Sequence, residues 1–262
     1  MGVIEGKVAI VTGAASGIGR AMAERFTALG AEQVVVADVT EDVLQEVADV
    51  TGADAVVTDV SDENAVKTLV DMTEDRYGQI DILCSNAGIM VKGGPEVANE
   101  DWDRIWQINV MAHVYAARAA LPGMIQRGEG YILNTASAAG LLTQVGSAPY
   151  AVTKHAAVGF AEWLAVTYGD RGLKVSVLCP QAVRTGMSAQ GSGAEGVASL
   201  DGQMEPEELC DYVVEAIYNE NFLVLPHPEV LTYIQRKTSD YDRWVRGMRR
   251  LQAQFGDSDW PA

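Results

Sequence analysis

The chain has 262 residues, a length that one α/β domain commonly fills, and its 48% hydrophobic and 21% charged residues provide for a buried core and argue against disorder. A formal net charge of −17 argues against nucleic acid and membrane surfaces as partners, because gripping phosphates needs clustered lysine and arginine. Cys84, Cys179 and Cys210 form no CxxC pair and suit buried thiols in a reducing compartment, while His113, His155 and His227 lack metal-ligand spacing.

In chain order, the first apolar run is Lys7–Val11. It begins too early to leave room for a signal peptide, and no run approaches transmembrane length, so cytoplasmic residence is expected. Thr12-Gly13-Ala14-Ala15-Ser16-Gly17-Ile18-Gly19 follows at once and leads into helical spacing over Ala21–Leu29. Gly13 permits a sharp exit from the strand, Gly17 lets backbone approach a pyrophosphate, and Gly19 lets the helix pack close to the sheet. The helix start, at Ser16, Gly17 and Ile18, offers N–H groups and a positive dipole end to the anion. A second run, Gln33–Ala37, ends at Asp38, nineteen positions after Gly19, where a carboxylate can accept from adenosine ribose hydroxyls. That carboxylate repels a 2′-phosphate, and neither Ala15 nor Val39 supplies a cation to hold one, so NAD is expected rather than NADP. Taken singly, the turn also suits a ligand-free connection and Asp38 a solvated turn; a strand before and a helix after are the context that points to a dinucleotide.

Ala55–Thr58, Ile80–Cys84, Tyr131–Asn134 and Lys174–Leu178 continue the series of short apolar runs, each reading as a strand buried on both faces. Helical spacing over Glu63–Tyr77, Trp102–Arg127 and Tyr150–Arg171 separates them. This rhythm specifies an α/β fold, a single-domain doubly wound parallel sheet with helices on both faces. Phe222–Leu225 is expected to add a short strand at one edge. The Gly-, Ser- and Ala-rich segment 186–204 reads as a substrate loop or lid, with a plain connector as the alternative. Residues 227–262 form a C-terminal extension in which Tyr233, Ile234, Tyr241, Trp244 and Met248 can give a helical tail an apolar face over that loop or a partner subunit.

Tyr150 and Lys154 lie four apart, on one helix face, where an ammonium favours the phenolate. Chance alone produces such pairs often. Ser137, however, follows the Tyr131–Asn134 strand at its carboxyl end, where open α/β sheets place their ligands. The glycine turn Thr12–Gly19, Asn86-Ala87-Gly88, Ser137 and Tyr150-Ala151-Val152-Thr153-Lys154 resemble, in order and spacing, the TGxxxGxG turn, NAG element, serine and YxxxK of the short-chain dehydrogenase/reductase family. The resemblance spans residues 7 to about 186.

The resemblance implies a Rossmann-like fold and an NAD-dependent oxidoreductase acting on a secondary alcohol or ketone. It assigns Tyr150 as the proton-transfer residue, Ser137 as the group polarising the substrate oxygen, and Lys154 as the group that lowers the Tyr150 pKa and holds the nicotinamide ribose. Asn109 matches the family's asparagine supporting a water-linked relay to the lysine. Asp59-Val60 matches its adenine contact; Ala87 and Gly88 would lie against ribose, Asn86 would steady the sheet, and Pro180, Val183 and Thr185 resemble the segment that clasps the carboxamide. Gln181 stands where the family usually has glycine, and can either reach substrate or point away.

For the substrate wall, Ser137, Gln144, Gln181 and Met187 are the main candidates, with Met90, Val91, Ala139, Leu141, Val145, Leu200 and Met204 around them. Lys92 and Arg184 are the nearby cations and read as surface charges, so a neutral, largely hydrophobic substrate is expected. Trp102, Trp106, Met111, Val114, Tyr115, Phe160, Trp163, Leu164 and Val166 are either core or, as the resemblance implies for these helices, contacts of a homotetramer or dimer. A non-catalytic NAD-binding sensor or scaffold is the alternative function. It has no need of a serine, tyrosine, lysine and asparagine together.

Overall fold

A computed structural model describes residues 2–186 and 201–255. Among these, β1 (Val8–Thr12), β2 (Gln33–Asp38), β3 (Asp54–Val57), β4 (Ile82–Ser85), β5 (Gly130–Thr135), β6 (Leu173–Leu178) and β7 (Leu223–Val224) form one parallel sheet, ordered β3-β2-β1-β4-β5-β6-β7. The short last strand does lie at an edge. Strand side chains alternate between two cores: Ala9, Val11, Val34 and Val36 face one, Ile10, Val35 and Ala37 the other. Both faces are buried, which is why these strands read as unbroken apolar runs instead of alternating ones.

Helices α1 (Gly17–Ala28), α2 (Glu41–Thr51) and α8 (Pro206–Asn219) supply the first core. Helices α3 (Glu63–Tyr77), α5 (Ala112–Arg127) and α7 (Ala148–Tyr168) supply the second. The α2 helix was not among the expected segments, although its buried Leu44, Val47 and Ala48 have helical spacing. No helix among the described residues is long and apolar enough to cross a membrane.

The single helix expected over Trp102–Arg127 is divided. Helix α4 (Asn99–Trp106) runs into a π-helical turn, Gln107–Met111, and then α5. The widened turn accommodates an extra residue, and in it Asn109 is fully buried, its Nδ2 donating to Ile89 O at 2.9 Å and its Oδ1 accepting from Ile89 N at 2.8 Å. Such a turn leaves no mark on apolar periodicity. Helix α7 begins at a cap: the Ser147 hydroxyl accepts from Tyr150 N at 3.2 Å and donates to Val91 O, which seats Tyr150 in the first helical turn.

After β5 comes the short α6 (Ala139–Leu142), and the tail forms α9 (Glu229–Ser239) and α10 (Tyr241–Phe255). Buried Val230 packs with Ala138 and Leu142, and Tyr233, Ile234 and Trp244 add to the cluster. Lys237 Nζ donates to Leu141 O at 2.6 Å. The tail is thereby anchored beside Ser137. Of the apolar residues on the long helices, Leu164 is core, whereas Trp106, Trp163 and Val166 are 39%, 54% and 81% exposed.

Candidate active site

The strand registers align the carboxyl ends of the sheet: Thr12 pairs with Ala37, Asp38 with Val57, Ser85 with Asn134 and Thr135 with Leu178. Above them, where the strand order reverses between β1 and β4, opens a cavity of about 1600 Å³. Ligands of open α/β sheets bind at such a reversal.

One arm of the cavity is built by the glycine turn. Gly13 has φ 67°, and a Cβ there would stand 2.8 Å from Ala87 Cα; a Cβ on Gly19 would stand 2.2 Å from Gly13 O. A Cβ on Gly17, at φ 55°, would stand 2.9 Å from Thr185 Cγ2, so Thr185 closes the turn from the far side. Thr12 ties the turn to β4: its hydroxyl accepts from Asn86 N at 2.9 Å and Ala87 N at 3.2 Å, and its carbonyl accepts from Asn86 Nδ2 at 3.0 Å. Asn86 thus has its amide in the framework while also bordering the cavity. Ser16 begins α1 without a side-chain cap, leaving the first-turn N–H groups of that helix directed to the cavity that Ser16, Gly17 and Ile18 line. The backbone-only cradle and uncapped helix start fit a dinucleotide pyrophosphate.

Asp38 borders the same arm; its Oδ2 accepts from Ala15 N at 3.1 Å and its Oδ1 from Thr40 N at 3.1 Å. Val39, Asp59, Val60, Ala87 and Gly88 complete this wall. Asp59 Oδ1 is held by Ser61, through its N at 2.9 Å and its hydroxyl at 2.7 Å.

At the cavity floor lie Ser137, Tyr150 and Lys154, all buried. The Ser137 hydroxyl lies close enough to the Tyr150 phenol to lower its pKa, accepts from Ala139 N at 3.1 Å and donates to Pro180 O at 3.4 Å. Lys154, one turn along α7, donates to Thr135 O at 3.0 Å with Nζ 5.6 Å from the Tyr150 ring centroid. Asn109 stands behind this floor: its Oδ1 and Lys154 Nζ would each be 3.3 Å from a Cβ placed on Gly88.

Burial raises the Tyr150 pKa, opposed by the Ser137 hydrogen bond. The net direction is opposite to that expected from the Tyr–Lys pair, because removing a phenolate from water outweighs an ammonium across the ring. Burial also lowers the Lys154 pKa to about 8. Below pH 8 both folded and unfolded chains keep this proton. Between 8 and the ordinary 10.5 the folded chain releases a proton the unfolded chain retains, so stability rises with pH. Relative to Lys154→Met, the wild type should gain about 3 kcal/mol across that window in urea unfolding; parallel pH profiles would count against a buried, titrating Lys154.

The remaining wall is formed by Gln144, Val145, Pro180, Gln181, Val183 and Thr185 together with α6, α9 and α10. Gln181 N donates to His227 Nδ1 at 3.2 Å, and its Nε2 donates to Asp201 at 3.2 Å. Tyr233 OH holds the same carboxylate at 3.0 Å. The Gln181 amide and Tyr233 of α9 therefore hold the same carboxylate, near one end of segment 186–204. Val183 is bridged to Met204, which links the two ends of that segment. Met187 and Leu200 lie outside the described residues. Leu142, not Leu141, borders the cavity, since Leu141 turns into the core. Arg184 pairs with Glu205 at 2.6 Å.

Several wall residues escaped the sequence reading, among them Arg104, Arg236, Arg243 and Arg250. The signal available was the α10 pattern itself, in which Arg243, Trp244, Gly247, Met248, Arg250, Leu251 and Gln254 share the cavity side.

The family pattern described as short chain dehydrogenase matches residues 7–195. The chain is 36% identical over 251 residues to the 1-deoxy-11-beta-hydroxypentalenate dehydrogenase of Streptomyces exfoliatus, covering 92% of this chain and 90% of that one. It is 37% identical over 191 residues to 3beta-hydroxysteroid dehydrogenase 2 of Eggerthella lenta, covering 70% and 73%. Among solved structures, a short chain dehydrogenase/reductase from Burkholderia phymatum in complex with NAD superposes with a TM-score of 0.84 at 32% identity, covering 92% of this chain and 96% of the other. With the strand order, the glycine cradle and the buried serine–tyrosine–lysine floor agreeing with these likenesses, the chain belongs to the short-chain dehydrogenase family.

Proposed function

We propose that this chain oxidises a largely hydrophobic secondary alcohol to its ketone, or runs the reverse reduction, with NAD as hydride carrier. The observation that carries the reading is the buried Ser137–Tyr150 pair, with Lys154 one turn away, on the floor of a cavity continuous with the glycine turn. NAD, when bound, supplies the hydride acceptor. Tyr150 takes the alcohol proton as the carbon–hydrogen bond breaks, and returns it in the reduction. Ser137 donates to the same oxygen, stabilising the alkoxide character that develops there. Lys154, its pKa lowered to about 8 by burial, holds the nicotinamide ribose and, when its amine is neutral, takes up the proton that Tyr150 passes on; Asn109 positions a water-linked relay behind it. Gly13, Ser16, Gly17, Ile18 and Gly19 hold the pyrophosphate, Asp38 the adenosine ribose, Asp59 and Val60 the adenine, and Pro180, Val183 and Thr185 the carboxamide.

Asp38, and the lack of any lysine or arginine on the adenosine wall among the described residues, support NAD over NADP. Around the floor, Ile89, Met90, Ile108, Leu142 and Val145 support a neutral, apolar substrate at the reacting end, with Gln144 and Gln181 as its polar neighbours. The two relatives named for a hydroxypentalenate and a hydroxysteroid accord with a secondary alcohol on a hydrophobic carbon skeleton. Exposed Trp106, Trp163 and Val166 favour a homotetramer or dimer, and three buried free thiols suit the cytoplasm.

The test is NADH formation by purified protein with a panel of secondary alcohols, repeated with NADP. Turnover with NAD, at least ten-fold above NADP, is expected, and light scattering of the same sample reads the assembly. Absence of turnover across a broad panel, with NAD still bound, favours the sensor or scaffold reading instead.

A further inference from the structure

We propose that the outer end of the cavity receives a carboxylate, so that the substrate is a hydrophobic hydroxy acid whose anionic group is remote from the reacting carbon. The inference rests on the dehydrogenase reading above and departs from the neutral substrate expected at the other end of the molecule.

The first observation is where the tail sits. Val230 is buried against Ala138 and Leu142, and Lys237 is bonded to Leu141 O, so α9 and α10 close over the wall that follows Ser137. The adenosine arm, with Asp38 and Asp59, is built by other elements. The α9 and α10 helices therefore join the cavity wall beside Ser137, where the proposed reaction places the substrate.

The second observation is what they contribute. Arg236 from α9, and Arg243 and Arg250 from α10, border the cavity, and Arg104 enters from α4. Seven residues apart, Arg243 and Arg250 lie about two turns apart on one face, with Trp244, Met248 and Leu251 between and beside them. That is a wall for an amphiphile: apolar surface for a carbon skeleton and guanidinium groups for its acidic end.

The third observation is pairing. Arg20, Arg25, Arg76, Arg118 and Arg184 each have a carboxylate within 4 Å. Among the described residues, no such ion pair engages Arg104, Arg236, Arg243 or Arg250. Arg236 stacks on Tyr233 at 5.9 Å, and the nearby Asp201 is occupied by Tyr233 and Gln181. In a chain of net charge −17, residues 227–262 hold six Lys/Arg against five Asp/Glu, and three of those six line the cavity. Planar guanidinium groups with free donors match carboxylate geometry, and an ester at the same position offers no charge to pair.

The experiment uses three alcohol scaffolds, a hydroxysteroid, a hydroxy fatty acid and a decalin-type alcohol, each as free acid and as methyl ester. For each, kcat and KM are measured with NAD, and binding to the NAD-loaded protein is followed by tryptophan fluorescence. Arg243→Gln/Arg250→Gln is compared with Arg246→Gln, which lies on the same helix but outside the cavity wall. On at least one scaffold the wild type should prefer acid over ester ten-fold or more, chiefly in KM, and added salt should shrink the preference. The double variant should lose it at least ten-fold while Arg246→Gln keeps it. Acid and ester equal within two-fold on all three scaffolds, or a preference that survives the double variant, overturns the proposal. Preferential, arginine-dependent binding of the acid without any NADH upholds this site and overturns the dehydrogenase reading, so the two failures are separable.

Discussion

Tyr150→Phe is expected to lower kcat for alcohol oxidation by a factor on the order of 10²–10⁴ while leaving NAD affinity within two-fold. The phenol is buried on the cavity floor, and its hydroxyl meets the Ser137 hydroxyl, which has Ala139 N and Pro180 O as further neighbours. Removing one oxygen therefore leaves no orphaned donor and no altered packing, and the variant should fold as the wild type does. What disappears is the phenol to which the proposed reaction assigns the proton at the substrate oxygen. The rate should also lose its dependence on pH: burial raises the Tyr150 pKa, so the ionised fraction that oxidation uses grows as pH rises above neutrality. A Phe variant within ten-fold of wild type, or one with the same pH profile, would remove Tyr150 from the chemistry. Ser137→Ala should cost less, since it takes away one donor to the oxygen and not the proton carrier.

The second large effect belongs to Gly19→Ala. The added methyl would stand 2.2 Å from Gly13 O, 2.7 Å from Gly13 C and 2.8 Å from Asn86 Nδ2. None of these can swing aside. Two are backbone, and the Asn86 amide is itself bonded to Thr12 O. Accommodating the methyl means lifting α1 off the turn or breaking the Thr12–Asn86–Ala87 bonds, a loss of about 4 kcal/mol or more. NAD affinity should fall at least a hundred-fold, because the cradle and the helix start move together. Gly159→Ala offers the contrast, with nothing within 4 Å of its added carbon in the middle of α7; it should stabilise by roughly 0.5–1 kcal/mol and leave NAD affinity unchanged. Urea unfolding and cofactor titration of the two variants would decide, and a Gly19→Ala protein with wild-type affinity would mean the turn is not the anion cradle.

The contrast between these two glycines shows where local reading stops. Gly19 is marked in the chain by the turn it closes, but the atom it must clear, Gly13 O, and the open space beside Gly159 appear only in the packed structure. The same holds for Asn109. Its place in a long apolar-periodic stretch was evident, but the π-helical turn that buries it exists because Ile89 N and O are there to be satisfied, twenty residues away. Gln181, too, was legible as an unusual residue at its position, yet its partners Asp201 and His227 arrive from segments twenty and forty-six residues on.

What the sequence by itself determined was whatever depends on neighbours along the chain: strands as apolar runs, helices as a 3.6-residue period, a glycine turn between strand and helix, and Tyr150 with Lys154 one turn apart. Tertiary structure alone decided the rest. It brought Ser137 to Tyr150, burial then raised one pKa and lowered the other, and the tail came to lie over the cavity with Arg236, Arg243 and Arg250 in its wall. The physical reason is that desolvation and long-range contact are properties of the packed whole: the same arginine is a solvated charge on an isolated amphipathic helix and part of a cavity wall once Val230 and Lys237 dock the tail beside Ser137.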